Sequence, residues 1–162
     1  MAKDPIRPTD DEARALAQRL LHEARFAALA TLTEEGAPFL SRVAFACGPE
    51  GAPLSLVSTL SAHTQAILRA PQISLLLGEP GEKGDPLTHP RLTLMGRGEV
   101  LDNTTPEHAE MAAQYLRSHP KAKLYIGFGD FHFLRFEISS AFLNGGFGKA
   151  FRLTPQDLGL AP

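Results

Sequence analysis

Two short turns constrain the fold of this chain more than any other feature of its sequence. Glu34-Glu35-Gly36 and GPEGAP (48–53) separate a nearly continuous apolar run (25–33), an alternating segment (38–47) and a further strand-like segment (54–59). Clusters of Gly and Pro are typical of turns. Parallel neighbours in a sheet need crossover connections of about a dozen residues or more, so these connections predict an antiparallel meander of three strands.

The rest of the chain continues with short strands and a few helices. Further strands are predicted at 72–78, 91–102, 130–138 and 141–154, and helices after Asp10-Asp11, at about 62–70, and from Thr105-Pro106 to before Pro120. Gly96 and Gly98 indicate a bulge or a tight corner within a strand. We therefore predict an α+β fold, mainly antiparallel β: a small barrel of six to seven strands, closed or nearly closed, with two or three flanking helices.

Length and composition predict one globular domain. The 162 residues suffice for one sizeable core, which we place at 10–162 behind a flexible segment, 1–9. The formal net charge of −2 argues against a nucleic-acid-binding protein. Cys47 is the single cysteine, so no intrachain disulfide can form and a reducing compartment is favoured. No apolar run is long enough to span a bilayer, which predicts a cytoplasmic protein without membrane contact.

The segment STLSAHT (58–64) gathers hydroxyls and an imidazole where a strand ends and a helix begins. Its polar residues are Ser58, Thr59, Ser61, His63 and Thr64. Ordinary capping by Ser61, with Leu60 as a hydrophobic staple, explains one of them and leaves the others unexplained. Free backbone N–H groups and the positive end of the helix dipole favour an anion, so the second interpretation is a phosphate site.

Arg42 is the other candidate for binding an anion. It lies mid-strand on a face formed otherwise by Leu40, Ala44 and Ala46. The arginine is either exposed on a sheet edge or buried against an anionic partner, since a buried guanidinium needs a hydrogen-bonded acceptor.

The remaining motifs assign no catalytic or metal-binding residue. NGGFGKA (144–150) follows no parallel strand and opens no helix, so it predicts a turn close to a flat group, with Phe147 or Lys149 nearby, rather than a dinucleotide site. The six histidines lack the spacing of metal ligands, and no nucleophile–base pair is recognisable. An anion site without an acid, base or nucleophile is typical of proteins whose chemistry belongs to a bound cofactor.

Most of the chain, about residues 10–158, resembles a known family. Residues 25–79 resemble the first half of the FMN-binding split barrels related to pyridoxamine 5'-phosphate oxidase, and residues 130–158 resemble their haem-utilisation (HugZ/HutZ-type) branch, close to the CREG-like β-barrels. The motifs that carry the resemblance are the Arg-Val strand, the Ser-Thr-Leu-Ser-x-His-Thr turn and the Gly-Phe-Gly loop.

The resemblance implies a split β-barrel that forms a homodimer with two FMN sites at its interface. It implies these contacts: Arg42 with the phosphate; Val43, Ala44 and Phe45 along the isoalloxazine edge; Ser58 and Thr59 at the strand end; Ser61, Ala62, His63 and Thr64 in the phosphate turn; and Phe147 or Lys149 from the second subunit. An FMN-dependent oxidoreductase with a small-molecule substrate or electron donor is the activity expected of such a site.

Three departures from the family keep other functions open. Ala62-His63-Thr64 stands where pyridoxamine phosphate oxidases have Ser-Arg-Lys, and their C-terminal Arg-x-His motif has no counterpart, so the vitamin B6 reaction is not expected. Haem-degrading relatives use a C-terminal histidine as iron ligand, with an aspartate partner that Asp130 matches, yet no histidine follows His132. The alternatives are a haem-binding or haem-degrading protein with His63 or His132 as ligand, and a non-catalytic CREG-like barrel.

Overall fold

Three helices flank one sheet in the computed structural model, which describes residues 4–162. They are α1 (Asp11–Glu23), α2 (Ala62–Arg69) and α3 (Pro106–Ser118). The predicted start of α1 is confirmed, since the Asp10 carboxylate accepts the Ala13 N–H at 2.8 Å and so caps the helix. The predicted start of α3 is confirmed as well, with Pro106 in the first turn behind the N-cap residue Thr105.

The sheet is mainly antiparallel, as predicted. Its strands are β1 (Ile6–Arg7), β2 (Phe26–Leu32), β3 (Pro38–Ala44), β4 (Ala46–Cys47), β5 (Pro53–Ser58), β6 (Gln72–Leu77), β7 (Arg91–Val100), β8 (Phe131–Asn144) and β9 (Ala150–Leu153). The order is β1-β9-β8-β7-β6-β2-β3, with β5 branching from β8 and β4 paired to β5. The predicted α+β split barrel is confirmed. Residues 4–162 form nine strands, because the two-residue strands β1 and β4 add to seven longer ones.

The barrel is open on one side. Within residues 4–162 no hydrogen-bonded ladder joins β3 to β5. The sheet therefore does not close into a complete barrel. The predicted three-strand meander is confirmed in part: β2 pairs antiparallel with β3, and β4, the end of the predicted segment 38–47, pairs antiparallel with β5. It is wrong for the longer β3, because β5 pairs along its length with β8. The segment 38–47 breaks at Phe45, whose N–H donates to the Arg25 carbonyl at 2.9 Å. Phe45 and Ala46 are both buried, Phe45 in the barrel core and Ala46 in the cluster around Tyr115.

A bulge in the β7–β8 ladder lies where the glycines predict one. Met95 pairs with Ser140 and Gly96 with Ile138, so the register shifts between Met95 and Gly96. A Cβ on Gly96 would lie 1.9 Å from the Glu137 carbonyl oxygen. The bulge lets β8 run unbroken through the region where the sequence predicts two separate strands, 130–138 and 141–154.

Part of the N-terminal segment that was expected to be flexible is paired with the sheet. Ile6 and Arg7 pair in parallel with Ala150 and Phe151 of β9, so this part of the segment expected to be flexible is a strand. Residues 1–3 lie outside the described part. From residue 4 to residue 162, no helix has the length and apolar character needed to cross a membrane.

Candidate functional site

The outer sheet face carries an exposed apolar surface that spans four strands. Leu40, Ala30, Ser74 and Met95 form one row across β3, β2, β6 and β7. Leu40 is 69% exposed and Met95 41% exposed. We call the surface formed by this row and the next one, which contains Ala28 and Leu76, the outer apolar face. Contiguous exposed apolar surface of this kind marks an interaction site on a folded protein.

Arg42 lies within the outer apolar face. It pairs with Ala28 on β2, which in turn pairs with Leu76 on β6. Its side chain is exposed, and its guanidinium carbon lies 5.5 Å from the centre of the Phe26 ring. In the described part of the chain it forms no ion pair. In a single copy of the chain, Arg42 is therefore exposed on a sheet edge and is not buried against an anionic partner. Its guanidinium donors remain available for an anion.

The three residues that follow Arg42 differ in what they offer a cofactor. Val43 and Phe45 are buried in the barrel core, so their side chains cannot line an external site. Ala44 is half-buried opposite Phe26. Contacts to an isoalloxazine edge at these positions are therefore limited to the backbone and the methyl group of Ala44.

The first turn of α2 presents hydrogen-bond donors without acceptors. The N–H groups of Ala62, His63 and Thr64 precede the first intrahelical bond, which runs from Gln65 N–H to the Ser61 carbonyl at 3.1 Å. Ser61 is the N-cap residue, but its side chain makes no capping hydrogen bond to any described residue. The Thr64 hydroxyl is fully buried and finds no partner within residues 4–162.

Ordinary capping does not account for this turn. Leu60 is 83% exposed, so it cannot act as the hydrophobic staple that this interpretation requires. A buried hydroxyl without a partner is unfavourable and calls for an explanation such as a ligand.

His63 is the ionisable group of this turn. Its Nδ1 lies 3.3 Å from Ser41 Oγ, on the side of β3 opposite Arg42. Burial lowers the pKa of the His63 imidazole below its ordinary value of 6.5, so the free protein holds this ring neutral at pH 7. An anion bound beside it would favour the protonated form and raise that pKa.

Asp130 hydrogen-bonds the end of β5 and takes up the hydroxyl donor of Ser58. Ser58 Oγ donates to Asp130 Oδ2 at 2.6 Å and accepts the Leu60 N–H at 3.1 Å. The Thr59 N–H donates to the Asp130 carbonyl at 2.8 Å. The Ser58 proton is therefore directed at Asp130 and not at a ligand, which reasoning along the sequence missed because the two residues are 72 positions apart. Of the strand-end pair, Thr59 keeps its hydroxyl available.

Phe147 and Lys149 lie far from these groups in the same chain. They belong to the β8–β9 turn, in which Gly146 and Gly148 have φ values of 122° and 69°, as the prediction of a glycine-rich turn requires. Phe147 is 97% exposed. Ser58 pairs with Phe131 at the start of β8, whereas the turn follows its end, about 45 Å further along the strand at about 3.3 Å per residue.

His132 and Cys47 complete the candidate groups. His132 Nδ1 lies 2.9 Å from the Leu101 carbonyl, which leaves Nε2 as the nitrogen that could ligate a metal. Burial raises the pKa of the Cys47 thiol to about 11, so it is protonated at neutral pH and unsuited to nucleophilic attack. The described residues contain no group of three His, Cys, Asp or Glu side chains placed to hold a metal ion.

Comparison with known proteins places this chain in a family. The model of the family described as "CREG, beta-barrel" matches residues 8–158. A curated relative, the chloroplastic non-canonical heme oxygenase HOZ of Arabidopsis thaliana, is 36% identical over 121 residues, which cover 69% of this chain and 36% of that protein. The chain thus spans about a third of the length of that relative.

Solved structures agree with the family match. A heme binding protein from Mycobacterium smegmatis is 29% identical with a TM-score of 0.81, over 95% of this chain and 61% of that one. HutZ, a heme storage protein from Vibrio cholerae, is 21% identical with a TM-score of 0.71, over 85% of this chain and 95% of that one, and shows a shared fold. The resemblance to the CREG-like barrels is confirmed, and the chain belongs to the CREG β-barrel family.

Proposed function

We propose that this chain is an FMN-binding, oxidoreductase-like protein that holds the flavin phosphate at the first turn of α2. One observation carries the proposal: this turn presents the N–H groups of residues 62–64 and the Ser61 hydroxyl, which makes no capping bond, without acceptors among the described residues. The buried hydroxyl of Thr64 in the same turn has no partner among them either. Phosphate oxygens supply the acceptors that such donors need, and the helix dipole favours their charge.

A homodimer would bring Arg42 into the same site. If a second copy covered the outer apolar face, Arg42 would be buried, and an unpaired buried guanidinium is strongly unfavourable. An anionic cofactor at the edge of β3 would satisfy it. The second copy would also supply Phe147 or Lys149, which a single chain holds too far from α2 to share its ligand.

The protein's part in the reaction would be to bind, orient and exclude water. FMN, when bound, supplies the electron transfer. The α2 turn fixes the phosphate, Ala44 and the neighbouring backbone lie where the ring edge would pass, and the second copy shields the ring from solvent. The substrate or electron donor would be a small molecule entering at the dimer interface, and we expect the protein to act in the cytoplasm.

Replacing Arg42 by alanine should weaken FMN binding about tenfold or more. The variant removes charged hydrogen bonds to the phosphate, each contributing about 1.5–3 kcal/mol. Flavin fluorescence titration measures the effect. Arg69→Ala is the matched control, because it removes the same charge from an exposed position in the last turn of α2. Equal FMN affinity of the folded Arg42→Ala variant and the wild type would contradict the phosphate role.

The contribution of His63 should depend on pH. The lowered pKa of the free imidazole makes the ring neutral at pH 7, whereas a bound phosphate favours the protonated ring. The advantage of the wild type over His63→Gln in FMN affinity should therefore be full at acidic pH and disappear as pH rises through the imidazole pKa of the complex. Comparing the two proteins cancels the phosphate's own ionisation. Superimposable affinity–pH curves would show that His63 does not face the anion.

Haem binding is the second candidate, and His132 is the observation that favours it. Its Nδ1 bond to the Leu101 carbonyl orients the ring as ligand histidines are oriented. The Arabidopsis and Mycobacterium relatives are named for haem. Parallel titrations with FMN and haem separate the candidates: flavin quenching supports the first, and a Soret shift that is lost in His132→Ala supports the second.

A further inference from the structure

A second exposed Gly-Phe-Gly segment lies beside the candidate site. We define the aromatic turn as residues 125–131, which connect the 3₁₀ turn after α3 to β8. Phe128 at its tip is 57% exposed, although Phe131 lies edge-on to it with the ring centres 6.4 Å apart. Phe131 in turn packs on Tyr125 at 4.8 Å. One aromatic face is thus presented to solvent on a support of two others.

The aromatic turn is internally hydrogen-bonded and is also bound to the end of β5. The Phe128 N–H donates to the Tyr125 carbonyl at 2.9 Å, and the Phe131 N–H donates to the Phe128 carbonyl at 3.1 Å. Asp130 adds the bonds to Ser58 and Thr59 described above. The backbone that carries the exposed ring is therefore held in place before any ligand arrives, which lowers the entropic cost of binding.

The position of Phe128 relates it to the first turn of α2. Two residues of chain span at most about 7 Å, so Phe128 lies within that distance of Asp130, whose carbonyl contacts Thr59. Leu60 and Leu124, which follow Thr59 and precede Tyr125 in the chain, are also exposed. A Cβ on Gly127 or Gly129 would meet no atom within 4 Å, so the backbone on both sides of Phe128 is open to a flat group.

We propose that Phe128 is the platform on which the ring of the ligand stacks. The ligand class is a planar conjugated ring with an anionic tail, whose tail binds the first turn of α2 while the ring lies against Phe128. The inference rests on the proposed function and adds a ring-binding residue to it. Exposed, pre-organised aromatic rings beside a cluster of unpaired N–H donors match the two halves of such a molecule.

The test separates ring from tail by using three probes. FMN carries both, riboflavin carries the ring alone, and inorganic phosphate carries the charge alone. Phe128→Ala should weaken FMN and riboflavin by the same factor, about tenfold, and leave phosphate binding, followed by the His63 ring-proton shift in NMR, unchanged. Phe128→Leu should behave like Phe128→Ala because it keeps apolar volume without a ring, and Phe128→Tyr should restore binding. Leu87→Ala removes an exposed apolar side chain from the 79–90 loop and should change nothing.

The results distinguish failure of the Phe128 platform from failure of the proposed FMN binding. Unchanged FMN and riboflavin affinities in folded Phe128→Ala and Phe128→Leu would overturn the platform while leaving the FMN proposal intact. Absence of FMN and phosphate binding to the wild type would overturn the proposed function itself. If the wild type binds haem instead, a haem affinity reduced in Phe128→Ala and restored in Phe128→Tyr supports the platform, and an unchanged one overturns it.

Discussion

Gly96→Ala is expected to destabilise this protein by about 3 kcal/mol and to lower its melting temperature by roughly 10 °C. The added methyl group would lie 1.9 Å from the Glu137 carbonyl oxygen and 3.0 Å from the Ile138 Cα. Both neighbours are backbone atoms of β8, so no side chain can rotate away and the strands themselves must separate. Because β8 also pairs with β5 and β9, displacing it disturbs several ladders at once.

The control for this variant is Gly127→Ala, which adds the same methyl group where no atom lies within 4 Å. It should change the free energy of unfolding by no more than about 0.5 kcal/mol. Urea titrations of the three proteins, followed by circular dichroism, give the comparison. Equal stability of Gly96→Ala and the wild type would mean that the close approach at the bulge is absent in solution.

Features set by neighbouring residues were predictable from the sequence. The helix starts at Asp10 and Thr105-Pro106 depend on residues within a few positions, and both starts are confirmed, although of the two only Asp10 makes a side-chain capping bond. The bulge at Gly96 could be predicted because glycine within a strand indicates close backbone approach. The alternation of 38–44 correctly puts Arg42 on the face opposite Ser41, since side chains of a strand alternate regardless of what they pair with.

Features set by distant residues were not predictable. The pairing of β5 with β8 joins segments about 75 residues apart, and no local pattern specifies it. The break at Phe45 depends on the Arg25 carbonyl and on a core that only the folded barrel forms. For the same reason the sequence indicates a Ser58 hydroxyl at the site but not the Asp130 carboxylate that accepts its proton.

At the candidate anion site, the structure changes which of the predicted donors are available. Five polar side chains near α2, Thr64 among them, suggested an anion. The structure removes Ser58 from the available donors, because its proton goes to Asp130, and it buries the Thr64 hydroxyl without a partner among the described residues. The exposed outer apolar face was not predicted, because a strand with small apolar residues on both faces does not reveal which face is left uncovered. The outer apolar face is the surface that a second copy of the chain would cover in the proposed homodimer.

Leu40→Glu is expected to convert a dimer into a monomer and to reduce FMN affinity by at least a hundredfold. Leu40 is among the most exposed residues of the outer apolar face, so the change should leave the stability of a single chain within about 0.5 kcal/mol of the wild type. In a dimer of the proposed kind, the substitution would bury two carboxylates without partners in an apolar interface. Burying these charges costs several kcal/mol of association free energy. A biological interface needs roughly 1,000 Å² or more of buried surface, and two copies of a four-strand face can supply it.

The two readouts distinguish assembly from folding. Sedimentation equilibrium at micromolar concentration should show a wild-type dimer and a Leu40→Glu monomer, while Leu87→Glu, which charges a similarly exposed leucine on the 79–90 loop, should remain dimeric. FMN affinity should fall together with the dimer, because the monomer loses the Phe147 or Lys149 contact and leaves Arg42 in solvent, where its attraction for phosphate is screened. A wild-type monomer that binds FMN tightly would contradict the interface site, and so would a Leu40→Glu dimer of unchanged affinity, since either result means that this face does not contain the cofactor.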